Sequence, residues 1–272
     1  MAKTEQAEMD GREGGGRSYS APALEKGFDI LELLANEQQD GLTISEIAAR
    51  LGRSISEVFR VIIVMERRLW LRKDPGSDRY SVTYRALDVA FRATPAQTLS
   101  QAAAPVMFDL AAATNQSCHL VVRAQDRGIV VHRQESPATV GFAIRLGTTV
   151  DLAVSCSGHV LLAFTPAERR KEILTGLLGS GAALRSGLKR LDGVRSQGFE
   201  MQPSARTNGV TDLSYPVFGF DGQVAAAMTI PFLAMIDGSQ LTDLEQTGHA
   251  LRDAAARLSA ELGAPADRDE RA

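Results

Sequence analysis

The sequence has only two cysteines in 272 residues, Cys118 and Cys156. No Cys-x-x-Cys spacing occurs, and two cysteines in so long a chain make no disulfide framework. A reducing cytoplasm is therefore the expected compartment. Long apolar runs are missing too. The longest, Val224–Ile236, is too short to cross a bilayer and holds Pro231. Residues 1–20, MAKTEQAEMDGREGGGRSYS, lack the apolar stretch of a signal peptide. They are polar and Gly-rich, an expected disordered tail. No nucleophile elbow, phosphate loop or paired His/carboxylate motif appears, so neither catalysis nor a cofactor is expected. An excess of one charge is absent as well: the net charge is −3. That does not advertise a nucleic-acid binder, but a chain average can hide a local patch.

What is present is an ordinary globular composition, 44% hydrophobic and 23% charged, at a length that suits two modest domains. APALEKGFDILELLAN places Leu24, Phe28, Leu31 and Leu34 at a helical period. In TISEIAARLG, Thr43 and Glu46 form a capping box, and Gly52 ends the helix. Ser54 and Glu57 form a second box two residues later. Two capped helices joined by a tight turn make a helix-turn-helix pattern. LWLRKDPGSDRYSVT then reads as a hairpin around Pro75–Asp78. Three helices and a hairpin predict a winged helix.

YRALDVAFRA reads as a linker helix closing near Pro95. A helix is expected over Ser100–Thr114. Strands follow at CHLVVRA, GIVVHRQ and TVGFAIR. Helices are expected at GHVLLAFT and PAERRKEILTGLL. Strands FEMQPS, DLSYPVF and VAAAMTIPF come next, and a last helix covers Leu241–Leu262. This order argues for an α+β domain. The expected boundaries are 1–20 tail, 21–82 winged helix-turn-helix, 83–96 linker helix, 97–263 second domain and 264–272 loose tail.

The stretch Ser54–Arg68 has two faces. Val58, Val61, Ile62 and Met65 form a packing stripe, while Ser56, Phe59, Arg60, Ile63 and Arg67 lie opposite. Arginines beside apolar groups suit a groove, where Arg meets phosphate or guanine and apolar atoms meet thymine methyls. Between Arg50 and Arg85, nine basic residues face four acidic ones, a local excess of five. This is the footprint of phosphate contact, and double-stranded DNA is the expected partner. The competing reading is a solvated face on a structural winged helix. The DNA-contact candidates are Thr43, Arg53, Ser54, Ser56, Phe59, Arg60, Arg67 and Arg79. Ser54 also serves as a cap, and Arg79, placed at the wing tip, reads equally as a solvated turn residue.

Together, ALEKGFDILELLA, LTISEIAARLG, SEVFRVI and LRKDPGSDRYSVT resemble the IclR family of bacterial transcriptional regulators. VVHRQESP and RLGTTVDLAVSCSGHVLLAF extend the resemblance, as does RSQGFEMQPSARTNGVTDLSYPVFGFDGQVAAAMTI with Gly198, Gly209, Pro216 and Val217 in place. It covers roughly Ala23 to Gly263. It implies a winged helix, a GAF-like α+β effector-binding domain, a homodimer or homotetramer on an operator, and no catalysis. The function it implies is a ligand-responsive regulator, repressor or activator, of a catabolic operon. The departures are Ile55, Glu57 and Leu69, where the family usually has a small polar or basic residue, Thr and Gly. Glu57 would repel phosphates unless occupied as a cap. These departures support the alternative of a sensing module that has lost DNA binding.

The effector domain departs further. Asp151-Leu-Ala153, Ser155-Cys-Ser-Gly158 and His159-Val160 replace the family's Pro-Leu-His, small residues and Gly-Lys-Ala. Gln202-Pro-Ser-Ala205 replaces an acidic stretch, and Asp212 a common Cys. SCSGHVLLAF runs small residues into a helix N-terminus, a carboxylate site by dipole and free N–H groups. The effector candidates are Ser155, Cys156, Ser157, Gln202, Asp212 and Ser214. Asp212 and Ser214 share one face of a strand, and a carboxylate there would accept a ligand hydroxyl, amide or amine. The expected effector is a small organic acid or aromatic metabolite carrying a hydroxyl or amide. The competing readings are a plain cap for Ser155 and a surface carboxylate at a strand start for Asp212. Cys156 reads as a wall residue rather than an oxidant sensor. His119 and His132 read as packing or pocket wall without metal partners, and His159 as a helix-surface residue.

Overall fold

The computed structural model describes residues 21–37, 41–93, 96–237 and 239–265. The tail at 1–20, Pro95 and residues 266–272 of the loose end lie outside them. The chain divides into two compact units at residues 94 and 95.

The first unit opens with α1 (Pro22–Ala35), α2 (Ile44–Arg50) and α3 (Ile55–Arg67). Both expected capping boxes form. Thr43 Oγ1 accepts the Glu46 amide at 3.3 Å, and Ser54 Oγ accepts the Glu57 amide at 3.4 Å. The wing is β1 (Leu71–Lys73) paired antiparallel with β2 (Tyr80–Val82). Ile30, Leu42, Ile47, Val58, Ile62, Leu71 and Tyr80 form the core. Each fully buried aliphatic side chain contributes about 1.5–3 kcal/mol. After α3 the chain turns through Leu69, at φ +61°. Its N–H donates to the Glu66 carbonyl at 2.9 Å and that of Trp70 to Met65 at 2.9 Å. A left-handed residue is what such a helix stop requires, which is the physical reason Gly suits this position. α4 (Arg85–Ala93) ends the unit.

The second unit is built on a six-stranded antiparallel sheet ordered β5-β4-β3-β8-β7-β6. The strands are β3 (Cys118–Ala124), β4 (Arg127–Gln134), β5 (Thr149–Asp151), β6 (Glu200–Pro203), β7 (Val210–Phe218) and β8 (Val224–Leu233). α5 (Ala96–Thr114) and α9 (Leu244–Glu261) pack one face around Leu120, Leu213, Met228 and Leu251. α6 (Cys156–Ala163), α7 (Ala167–Leu178) and α8 (Ala182–Gln197) cover the other around Val121, Val160, Leu162 and Leu191. The architecture is a winged helix-turn-helix followed by an α+β domain.

One expected strand is absent, one helix was not foreseen and one helix starts later. TVGFAIR is not a strand. Ser136 ends β4 by bonding the Asn115 carbonyl and the Ala138 amide at 2.7 and 3.1 Å, and residues 139–145 run irregularly. The edge strand is instead Thr149–Asp151, against β4. α8 was not expected at all. Its signal is Leu184, Leu188, Leu191 and Val194 at helical spacing, diluted by Gly187 and Gly193. Gly187 lets α8 approach α7: a Cβ there would lie 2.9 Å from Leu174 Cδ2. The last helix begins at Leu244 rather than Leu241, capped by Asp243.

Candidate functional site

On α3, Ile62 and Val58 are buried, while Ser56, Phe59, Arg60, Ile63 and Arg67 are exposed. The outward face is thus mixed, apolar and cationic. Most of the local positive charge, however, is internally committed. Arg50 pairs with Glu37, Arg53 with Asp29, Lys73 with Asp78, Arg79 with Glu46 and Arg85 with Asp88. Among the described residues, Arg60, Arg67, Arg68 and Arg72 have no acidic partner. Arg60 Nε rests on the Ser56 carbonyl at 3.3 Å. Arg68 and Arg72 were missed as candidates, although both stand in the basic run.

Arg79 requires a correction. It does not sit free at the wing tip. Its guanidinium donates to the Gly41 carbonyl at 2.7 Å and to both Glu46 oxygens at 3.1 and 3.2 Å, tying β2 to α2. Arg53 is similarly tied to Asp29 at 2.9 Å. Thr43 and Ser54 spend their hydroxyls on Glu46 and Glu57. Glu57 itself is occupied twice, by the cap and by Lys26 Nζ at 2.7 Å. Bonds from Lys26 and Ser54 hold its carboxyl down at about 2. The residue that spoke against phosphate contact is therefore neutralised from α1.

The second unit holds a cavity of about 380 Å³ between the sheet and the α6 N-terminus, a size suited to a small metabolite. Ser155, Cys156, Ser157 and Asp212 line it, as expected. Ser155 Oγ accepts the Gly158 amide at 3.1 Å and donates to the Asp151 carbonyl at 2.6 Å, so it caps α6 as well. The first amides of α6, at Cys156 and Ser157, lack intrahelical acceptors by helix geometry. Gly158 brings the helix hard against the chain before it: a Cβ would lie 2.5 Å from Leu152 Cα. Burial raises the Asp212 carboxyl above its usual value, against a bond from Ser204. Burial also pushes the Cys156 thiol well up, aided by the Asp212 and Glu200 charges. The thiol lies 3.2 and 3.3 Å from the Glu200 and Asp212 carbonyls and is a wall residue.

Two effector candidates fall outside the cavity. Gln202 pairs with Asp212 in register but lies one strand nearer the edge. It bonds Arg190 at 2.7 Å and the Val154 carbonyl at 2.9 Å, behind the cavity loop. Ser214 is buried beneath α6, bonded to Thr229 Oγ1 at 2.8 Å. His159 is also misjudged: it is buried, not on the helix surface. Conversely, Arg206, Thr229 and Phe142 line the cavity without having been expected. Arg206 is the cation of the lining and donates to the Thr149 carbonyl at 2.8 Å. His119 lines it too, held neutral by burial with its pKa at about 4, and its Nδ1 has no hydrogen-bond partner. His132 sits away from it, 2.7 Å from Ser100 Oγ. No group of metal-binding side chains occurs among the described residues.

A winged helix whose third helix carries arginines with no acidic partner among the described residues, followed by a sheet domain with a small-molecule cavity, defines a ligand-binding transcriptional regulator. The comparisons agree. The profile for the bacterial transcriptional regulator IclR C-terminal domain matches residues 91–260, and that for the IclR helix-turn-helix domain matches residues 23–75. The chain belongs to the IclR family of DNA-binding transcriptional regulators. It is 28% identical to the HTH-type transcriptional regulator KdgR of Escherichia coli, over 90% of this chain and 94% of that one. Among solved structures it resembles HmgR of Pseudomonas aeruginosa, at 26% identity and TM-score 0.71, over 89% of this chain and 100% of that one. An IclR homolog of Microbacterium hydrocarbonoxydans complexed with 4-hydroxybenzoate shares the fold at 23% identity and TM-score 0.74, over 88% and 98%. The curated relatives are regulators rather than enzymes. No helix among the described residues is long and apolar enough to cross a membrane.

Proposed function

We propose that this regulator binds its operator through the outward face of α3 and releases or engages it in response to a small organic acid. The observation that carries the DNA half is the set of four cations with no acidic partner among the described residues, Arg60, Arg67, Arg68 and Arg72, on and just after a helix whose other face is core. Arg60 and Arg67 meet phosphate or guanine; Phe59 and Ile63 sit against base methyls. Ser54 and Ser56 lie at the helix N-terminus, where phosphate is favoured.

The effector half rests on the cavity lining. A carboxylate fits between Arg206 and the first amides of α6. Asp212, beside them on β7, accepts a hydroxyl or amide. The ligand is then a hydroxylated or amide-bearing organic acid, aromatic or aliphatic, supplied to a catabolic operon. The working form is a homodimer, or a pair of dimers, so that two copies of α3 reach two half-sites.

A gel shift with the DNA upstream of the regulator's own gene tests the first half, with Arg60→Ala as the control. Unchanged affinity in that variant removes Arg60 from the interface. Calorimetry with a panel of hydroxylated acids, 4-hydroxybenzoate among them, tests the second. A folded protein giving no heat with any class overturns it.

A further inference from the structure

His159 has an acceptor against each of its two ring nitrogens. Its Nδ1 lies 3.1 Å from Glu200 Oε2, and its Nε2 lies 2.9 Å from the Ala153 carbonyl oxygen. Both partners are acceptors, and neither a carboxylate nor a carbonyl can donate. A neutral imidazole carries one N–H, so one of these contacts would set lone pair against lone pair. Only the imidazolium, donating from both nitrogens, satisfies the arrangement.

The contact matters because of what it holds. Ala153 and Val154 form the loop between β5 and α6, and Val154 and Ser155 line the effector cavity. The loop is gripped from behind at two consecutive carbonyls, Ala153 by His159 and Val154 by Gln202. Arg190 of α8 joins the two grips, with Nε 3.2 Å from Glu200 Oε2 and a second nitrogen 2.7 Å from Gln202 Oε1. We propose that His159 is a positioning residue that latches the cavity loop while protonated and frees one end of the latch when it loses its proton.

The neighbours do not supply this switch. Burial acts to raise the Glu200 carboxyl, but bonds from His159 and Arg190 outweigh it, so Glu200 stays ionised. The Cys156 thiol on α6 is pushed well up, and His119 on β3 is neutral above about 4. Asp212 of β7 is a carboxyl raised by burial. Asp151 of β5 is engaged with the Ala153 amide at 2.7 Å, and Arg133 of β4 with Glu135 at 2.7 Å. β8 carries no titratable side chain. The direction follows from the two acceptors: loss of the ring proton leaves one of them facing a lone pair, the loop loosens, and effector affinity falls with it.

The consequence for affinity rests on the cavity being the effector site; the latch itself can be read without ligand. The experiment is histidine-ring and amide ¹⁵N spectroscopy on the full chain across a pH series. The expected result is a doubly protonated His159 ring at the low end, with the Val154 and Ser155 amide signals moving at the same midpoint as the ring. In His159→Gln those amide signals stay flat. In His159→Lys, which keeps a cation, they stay at their low-pH positions throughout. If His159→Gln fails to fold, Glu200→Gln takes its place: the ring should then lose its proton at lower pH, with the amides following. A ring that stays in one neutral tautomer across the range overturns the proposal. So do amide shifts that persist in His159→Gln, or that ignore the displaced ring titration in Glu200→Gln.

Discussion

The ammonium of Lys26, on α1, lies 2.7 Å from Glu57 Oε1 in the first turn of α3. One ion pair thus joins the first helix to the start of the outward-facing helix and removes the negative charge that phosphate would meet. Its carboxyl is held at about 2, first by the Lys26 bond and then by Ser54. A depressed acid contributes stability above its unfolded value and loses it as pH falls through the folded one. The winged helix should therefore weaken between pH 4.5 and about 2. Lys26→Met should move the Glu57 titration, followed by carboxyl ¹³C shifts, back toward the usual carboxylate range.

Leu69 should be replaceable with profit. It holds φ +61° with its side chain exposed, so its Cβ strains the backbone and its methyls bury little. A left-handed non-glycine residue costs about 1–2 kcal/mol. Leu69→Gly should raise the winged helix's stability by about 1 kcal/mol, after the extra freedom of unfolded glycine is deducted. The single tryptophan, Trp70, lies next door, so its fluorescence in a urea titration reports this unit alone.

The arginines should separate into two groups. Arg60→Ala and Arg67→Ala should each weaken operator binding and lower the salt slope by about one if the contact is to phosphate. Arg79→Ala should leave the slope unchanged and instead cost about 1 kcal/mol of winged-helix stability, after solvent screening of its half-exposed bonds to Glu46. Filter binding across a salt series, with urea melts of the same variants, distinguishes these outcomes.

Gly158→Ala should damage the effector domain through backbone, not side chain. The added methyl would lie 2.5 Å from Leu152 Cα and 2.7 Å from the Asp151 carbonyl oxygen. Overpacking of this kind costs typically 1–3 kcal/mol. Far-UV circular dichroism should show an earlier melt, while Trp70 fluorescence should show the winged helix unmoved.

The winged helix was legible because its determinants are local. Thr43, Ser54 and the spacing of Val58, Ile62 and Met65 all act within a few residues. What the sequence concealed is where charges end up: Arg79 and Arg53 look free in one dimension and are paired across helices in three. The cavity was legible at its α6 end and at Asp212. Strand alternation placed Asp212 and Ser214 on one face, and the resemblance added Gln202, but neither says anything about distance across the sheet. Gln202 is one strand too far, and Ser214 lies beneath α6. Arg206 and Thr229 reach the cavity through topology and register, which no local period encodes. Residues 139–145 misled because Phe142 and Ile144 alternate as in a strand, yet they face the cavity instead.

The cavity draws its walls from positions as far apart as His119 and Thr229. Whatever occupies it stitches together segments that separate completely in the unfolded chain. By mass action, an occupant at a hundred times its dissociation constant adds about 2.7 kcal/mol to the domain's resistance to melting. The effector can thus be sought without knowing a single operator sequence, by asking which acid makes the second domain harder to unfold.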